Sequence, residues 1–285
     1  YLSKDKIPNG KLVDYLMASA TCFPAFQMKK INGESYIDGG FYDNMPINLA
    51  IKMGADEIIA VDLEAIGVKK LPKKDVKITY ISPNNKLSSF LVFDKNIART
   101  NIKYGYNDTL KVFGKLEGKQ YSFKKGNLKN NYQKYNSNFI KIAKIIYEIG
   151  SKEPNVVDKI VTHNVVKKIA TSKDREIYKT FNQSLEYLGK IFKIDDSNIY
   201  SCKKFNNLLT NEIVNMDKVD IKVIEKKIKN KEIKDLLHTK IVIKYIYDKL
   251  CNERLNKRNI RNMLTIATIL PKDFLAALYL CSIKF

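Results

Sequence analysis

The chain has 285 residues, 45 % hydrophobic and 28 % charged, with 12 Gly, 7 Pro and a formal charge of +21. This size and balance fit one or two globular domains with a full core, and exclude a collagen-like, Pro-rich or wholly disordered chain. The two histidines, His163 and His238, exclude a His-rich metal site, and neither has a carboxylate or cysteine at metal-ligand spacing.

Leu12, Tyr15, Leu16 and Ser19 recur at helical spacing and predict a helix over 11–19. It must stop before Phe23-Pro24, because the residue before proline avoids the α region. Residues 26–31 and 34–37 read as short strands joined by Asn32-Gly33, a strong two-residue hairpin signal. A loop over Asp38–Asp43 follows. Asn44 then caps a helix from about Met45 to Met53, with Pro46 in the first turn, where its missing N–H is no loss. Gly54 ends that helix as a left-handed cap. Ile58–Leu63 is a continuous apolar run, read as a strand buried on both faces, and Val76–Ile81 is a second strand. Strand, helix and strand with short connections indicate an α/β layered core.

Past residue 94 the pattern changes. Asp94 caps a helix reaching about Tyr104, Asn107 caps another to Leu116, Glu117-Gly118 makes a turn, and Tyr121–Phe123 forms a short strand. From about residue 130 only helical spacing remains, over 130–150, 156–171, 174–192, 204–215, 217–237, 239–251, 255–269 and 272–283, punctuated by Pro154 and Pro271. No run reaches 18 apolar residues, so no transmembrane helix is expected. The longest, Leu264–Leu270 and Phe274–Ile283, are separated by Pro271-Lys272-Asp273.

The charge is uneven. Residues 1–67 hold six lysines and nine acids, a net −3, so the remainder carries +24. A basic region invites an anionic partner, although a bias toward Lys, Asn and Ile together produces the same excess with no ligand. Glu225–Lys234 is a charge-rich helix with Ile224, Ile228 and Leu236-Leu237 on one face. It reads as a solvated face over a core stripe, or else as a segment drawn to an anionic bilayer. The 17 tyrosines are dispersed and offer no stacking platform, so no nucleic acid is expected as partner. Cys22, Cys202, Cys251 and Cys281 are scattered without CxxC spacing and read as free thiols of a reducing compartment. The chain begins with Tyr1 and shows no signal peptide.

The sharpest motif is Tyr36-Ile-Asp-Gly-Gly-Phe-Tyr-Asp-Asn-Met-Pro46. A strand delivers one carboxylate, Asp38, onto Gly39-Gly40, where glycine allows positive φ and close approach of another element. The plain alternative is an aspartate hydrogen-bonding its own turn. Asp43 reads as a solvated turn acid. Ser19 and Ser35 are near Asp38 in sequence, but neither sits on a glycine elbow.

Upstream lies Ala18-Ser-Ala-Thr-Cys-Phe-Pro-Ala-Phe26, and downstream Ala50-Ile-Lys-Met-Gly-Ala-Asp-Glu-Ile-Ile-Ala-Val61. Over about residues 8–65 the chain resembles the C-terminal half of the patatin-like phospholipase domain. In that family a helix ends in Ala-Ser, and a Pro turn and a short strand lead to Asp-Gly-Gly. An Asn-x-Pro helix start, Gly-Ala and a buried strand come next. Leu91-Val-Phe93 through Gly105-Tyr-Asn-Asp108 to Tyr121 looks like a continuation seen in bacterial members.

The resemblance implies a lipid acyl hydrolase with a serine–aspartate dyad, in which Asp38 accepts the serine proton. Gly39, Gly40, Asn44 and Pro46 support the motif. A carboxylate of pKa about 4 is a weak base for a serine; hydrogen-bond contact and partial desolvation raise its basicity. The family's nucleophile sits in a Gly-x-Ser-x-Gly elbow, and its oxyanion donors in a glycine-rich loop. Neither occurs in these 285 residues. The expectation is therefore a chain without its N-terminal half-domain, unable to turn over esters alone.

The implied fold is α/β, a partial three-layer α/β/α core followed by a mainly helical region. Residues 1–90 form the half-domain, 91–150 a continuation of mixed helix and short strand, and 151–285 a basic helical region. The implied partner is a lipid or phospholipid ester, with peripheral contact to an anionic membrane. No metal or organic cofactor is required, and the implied location is the cytoplasm or a membrane surface. The alternative is a non-catalytic truncated or split partner that binds a membrane or a complementary subunit.

Overall fold

The computed structural model describes residues 2–88, 92–151, 165–217, 219, 222, 224, 226–227, 240–251, 263–264 and 266–284. His163, His238, Pro154 and most of the helices expected over 217–237 and 255–269 lie outside the described residues. The fold is α/β with a helical C-terminal region, divided into two compact units, Tyr1–Val92 and Phe93–Phe285.

In the first unit, α1 (Leu12–Ser19) leads to an antiparallel hairpin of β1 (Lys29–Ile31) and β2 (Glu34–Tyr36). Asn32 and Gly33 both take positive φ, 51° and 85°, as a tight turn matching strand twist requires. The Phe23–Pro24 peptide is cis. The expected loop after Asp38 is instead one helical turn, α2 (Gly40–Asp43), followed by α3 (Ile47–Lys52). Asn44 does not cap α3: Pro46 holds the N-cap position without a side-chain bond, and Asn44 closes α2. The extra helical turn uses up the residues that the expected cap needed. Gly54, at φ 97°, ends this segment as expected.

β3 (Glu57–Val61) and β4 (Lys77–Ile81) pair in parallel, with Ile59 opposite Thr79 and Val61 opposite Ile81. α3 packs against β3. β3 is not buried on both faces as its sequence suggests: Ala60 is buried, whereas Ile59 and Val61 remain 57 % and 61 % exposed. Among the described residues this sheet has two strands, and the face of β3 that carries Ile59 and Val61 stays exposed.

In the second unit, α4 (Lys95–Val112) is one continuous helix. Asp94 Oδ1 caps it as expected, accepting from the Asn96 and Ile97 N–H groups at 2.8 and 2.9 Å. The second helix start at Asn107 does not occur. Asn107 is buried within α4 and its Nδ2 donates to the Ser197 carbonyl at 3.0 Å, so its amide serves packing. Gly118, at φ 98°, turns the chain between β5 (Leu116–Glu117) and β6 (Ser122–Lys124). β7 (Ile199–Tyr200) pairs parallel with β6. It falls between the helices expected over 174–192 and 204–215, where no strand was expected because a two-residue strand is too short to show a period.

Among the described residues the core lies between α5 (Asn127–Ser151), α7 (Asp174–Ile191), α8 (Cys202–Val214), α9 (Lys240–Cys251) and α10 (Pro271–Lys284), with the short α6 (Val165–Thr171) against α5. Pro271 opens α10, where it lacks no needed N–H. α10 is apolar nearly all round and buried at every position from Asp273 to Ser282 except Leu275, which is half-buried, as a central helix must be. Its hydroxyl at Tyr279 closes a buried ring: Asn131 Nδ2 donates to Tyr279 Oη (2.9 Å), Tyr279 to Asn206 Oδ1 (2.7 Å), and Asn206 Nδ2 to Asn131 Oδ1 (2.8 Å). Cys251 and Cys281 are joined as a disulfide between α9 and α10, with Cα atoms 6.0 Å apart. This corrects the reading of four free thiols: the pair is 30 residues apart in sequence, and helix packing alone brings it together. Among the described residues no helix is long and apolar enough to cross a membrane, and no cluster of His, Cys, Asp and Glu is suited to a metal.

Candidate functional site

Asp38 follows β2 and is fixed by main-chain bonds to the segment after α1. Its N–H donates to the Thr21 carbonyl at 2.8 Å, and the Gly39 N–H to the Ser19 carbonyl at 3.3 Å. The Gly40 N–H donates to Asp38 Oδ1 at 2.7 Å, and the Phe41 N–H to the Asp38 carbonyl at 3.2 Å. The carboxylate is thus half-buried and held over the first residue of α2. Among the described residues Oδ2 accepts no hydrogen bond, so one oxygen orients the group and the other is open to a donor.

The glycines act differently from the sequence reading. Gly39 has helical φ −60° and ψ −22°, and Gly40 has no positive φ either. Close approach does hold at Gly40, where a Cβ would lie 3.0 Å from Asp38 Oδ1 and 3.1 Å from Asn44 Oδ1. At Gly39 it would make an ordinary 3.7 Å contact with Ser19 Oγ. Ser19 and Ser35 are exposed, and neither hydroxyl is hydrogen-bonded to Asp38 among the described residues. Asp43 is not a solvated turn acid: it is 6 % exposed and its Oδ1 accepts the Met45 N–H at 3.3 Å.

The residues that sequence reasoning missed lie in the loop between β3 and β4. The Val68 N–H donates to the Gly40 carbonyl at 2.9 Å, and the Asn44 N–H returns to the Val68 carbonyl at 2.6 Å. Asn44 Nδ2 reaches the Ala65 carbonyl at 3.4 Å. One turn of helix later, Asn48 Nδ2 donates to the Leu71 carbonyl (2.9 Å) and its Oδ1 accepts the Lys73 N–H (2.8 Å). Asn44 is therefore a strap for this loop. Gly67 makes the crossing feasible, since a Cβ there would lie 2.8 Å from Asn44 Cβ and 2.9 Å from the Gly40 carbonyl. The one signal for it was a lone glycine between two strands.

Two lysines complete the clamp. Lys69 Nζ lies 2.7 Å from both carboxylate oxygens of Asp62. With the Glu64 N–H, it holds the Asp62 carboxyl below the usual carboxylate range. Lys70 Nζ sits 3.1 Å from the centre of the Tyr42 ring, a cation–π contact.

The arrangement presents one oriented carboxylate at the start of a helical turn, on a frame closed by main-chain bonds. That suits a proton acceptor working with a nucleophile brought to it. No curated protein and no solved structure matches the chain. Residues 1–51, which carry α1, the hairpin and the Asp38-Gly39-Gly40 turn, match the family model described as patatin-like phospholipase, a family of lipid acyl hydrolases.

Proposed function

We propose that this chain carries the base of a serine–aspartate dyad in a patatin-like hydrolase acting on lipid carboxylic esters, phospholipids foremost. The observation that carries this reading is Asp38: Oδ1 is fixed by the Gly40 N–H and Oδ2 is left for a hydroxyl. In the proposed reaction Oδ2 takes the proton of a serine as its Oγ attacks the ester carbonyl. The proton then passes to the departing alcohol, and a water releases the acyl group by the same route. The 285 residues contain no Gly-x-Ser-x-Gly, so the serine and the oxyanion donors come from polypeptide outside them.

The test joins this chain to an N-terminal patatin-like half and compares Asp38→Asn with the parent. Asparagine keeps the acceptor for Gly40 and loses the basic oxygen. Loss of a positioned base lowers turnover by about 10²–10⁴-fold with a nearly unchanged unfolding midpoint. Retained turnover assigns the chemistry elsewhere, and a collapsed midpoint makes Asp38 a turn residue. The chain by itself is expected to show no serine labelled by a fluorophosphonate; labelling of any serine overturns the reading.

The exposed Ile59 and Val61 on β3 favour a second reading, a non-catalytic partner that docks on a complementary polypeptide. Hydrolysis that depends on Asp38 in the joined protein excludes it.

A further inference from the structure

We propose that the loop 65–74, strapped beside Asp38, is a docking element for an anionic lipid surface. This rests on the reading that the chain acts at lipid, and it assigns the lipid contact to the N-terminal unit. The loop carries Ile66, Val68 and Leu71 together with Lys69, Lys70, Lys73 and Lys74, and no acid.

Its backbone faces the protein. The Val68 N–H and carbonyl pair with Gly40 and Asn44, and the Leu71 carbonyl and Lys73 N–H pair with Asn48. Those pairings fix the loop at Val68, Leu71 and Lys73 and lower the cost of bringing these groups to an apolar boundary. The apolar side chains are left outside: Ile66 is fully exposed and Leu71 is 87 % exposed. Phe41 and Tyr42 of α2, joined to the loop through Gly40–Val68 and Lys70–Tyr42, extend the exposed apolar surface. Tyr42 brings an aromatic ring with a polar tip, suited to a headgroup boundary.

The charges select the occupant. Lys73 and Lys74 are exposed and Lys70 is held on the Tyr42 face, so three ammonium groups lie beside the apolar residues; Asp62 pairs with Lys69, and the exposed Glu64 and Asp75 flank the segment at its two ends. Apolar side chains interleaved with lysines match a layer of acyl chains beneath anionic phosphates. A protein partner would bring carboxylates to the same lysines, and it is an outcome of the test.

The test is sedimentation of the whole chain with phosphatidylcholine vesicles, with and without phosphatidylserine. Binding is expected with phosphatidylserine, and to fall at least about tenfold in Ile66→Ser/Leu71→Ser and in Lys73→Gln/Lys74→Gln. The chain contains no tryptophan, so Leu71→Trp supplies a single reporter whose emission is expected to shift to the blue on these vesicles. All substituted residues are exposed, and unchanged circular dichroism certifies the fold. Absence of binding, equal binding to phosphatidylcholine alone, undiminished binding of both double variants, or an unshifted Leu71→Trp emission each overturns the proposal. Self-association abolished by Ile66→Ser/Leu71→Ser, with vesicle binding intact, assigns the face to a second copy. Asp38→Asn is expected to bind vesicles as the parent does, so failure of the catalytic reading and failure of the docking reading are separable.

Discussion

The two units solve the problem of stability differently. In Phe93–Phe285 one cluster runs from Tyr121 to Cys281, with Phe205 in edge contact with Tyr121, Phe123 and Tyr200 at ring distances of 5.0–5.2 Å. In Tyr1–Val92 the buried apolar residues are Ala18, Ile31, Ile47, Ala60 and Ile81, while Leu16, Phe26, Ile59, Val61 and Leu63 stay exposed. That unit is held by turns and main-chain straps, through Asn32-Gly33, Asp38–Gly40 and the Asn44 and Asn48 bridges. Apolar content becomes stability only where a second layer covers it; among the described residues of the first unit much of that content stays exposed.

The largest effect that tests this contrast comes from matched truncations. Phe205 is fully buried, so Phe205→Ala is expected to cost about 3–5 kcal/mol in denaturant unfolding. Val61→Ala removes a comparable kind of surface from β3, yet it is expected to change stability by no more than about 0.5 kcal/mol. A cost for Val61→Ala near that of Phe205→Ala would break the comparison, because β3 would then be covered on both faces in solution.

The same contrast governs what the sequence revealed. Signals that live in two to four residues came through: Asn32-Gly33 as the hairpin turn, Gly54 and Gly118 at positive φ, Asp94 as a cap. Helix periodicity gave α5, α7, α8, α9 and α10 within a few residues, since each needs an apolar stripe for one core. What failed depended on contacts distant in sequence. Asn44 and Asn107 have the chemistry of caps, but bonds to Ala65 and Ser197 use them otherwise. The pairing of Cys251 with Cys281, the strand at Ile199–Tyr200 and the strap over Gly67 are likewise set by tertiary neighbours. At the candidate site, the close approach at Gly40 was legible, whereas the loop that closes over it was not.

Glycine substitutions sharpen the comparison at smaller magnitude. In α7, a Cβ on Gly189 would lie 2.6 Å from Phe205 Cζ and 2.7 Å from Tyr121 Cζ. Gly189→Ala must therefore displace rings that are fully packed, and is expected to cost about 1–3 kcal/mol of global stability. In the first unit, Gly67→Ala meets Asn44 and the Gly40 carbonyl at similarly short range. There the strap yields instead: amide exchange at Val68 and Asn44 is expected to quicken, with the unfolding midpoint of the second unit unmoved. A global shift from Gly67→Ala would show that the strap supports more than its own loop.

The smallest expected effect is a difference in the sign of pH dependence. Burial pushes the Glu186 carboxyl above its ordinary 4.5, only partly offset by the Lys119 and Gln120 N–H groups that donate to it at 2.6 and 3.3 Å. The folded chain thus holds this proton more tightly than the unfolded chain. Its contribution is fully present below 4.5 and is lost as pH rises through the raised value. Asp62 runs the other way. The Lys69 hydrogen bond holds it below 3.8, so its contribution is present above 3.8 and is lost as pH falls through the lowered value. Because the Asp62–Lys69 pair is partly exposed, at 19 % and 39 % of their side chains, solvent screening keeps its share small. The two N–H groups bond to different oxygens, Oε1 and Oε2, so Glu186→Gln keeps an acceptor for one of them; it loses about 1 kcal/mol at all pH values and is expected to flatten the loss of second-unit stability above 4.5. Asp62→Asn is expected to leave that profile untouched and to remove the acid sensitivity of exchange at the Glu64 amide, which bonds Asp62 at 2.8 Å. A change in the Glu186 region from Asp62→Asn would mean that the two units titrate as one, and the contrast between them would fail.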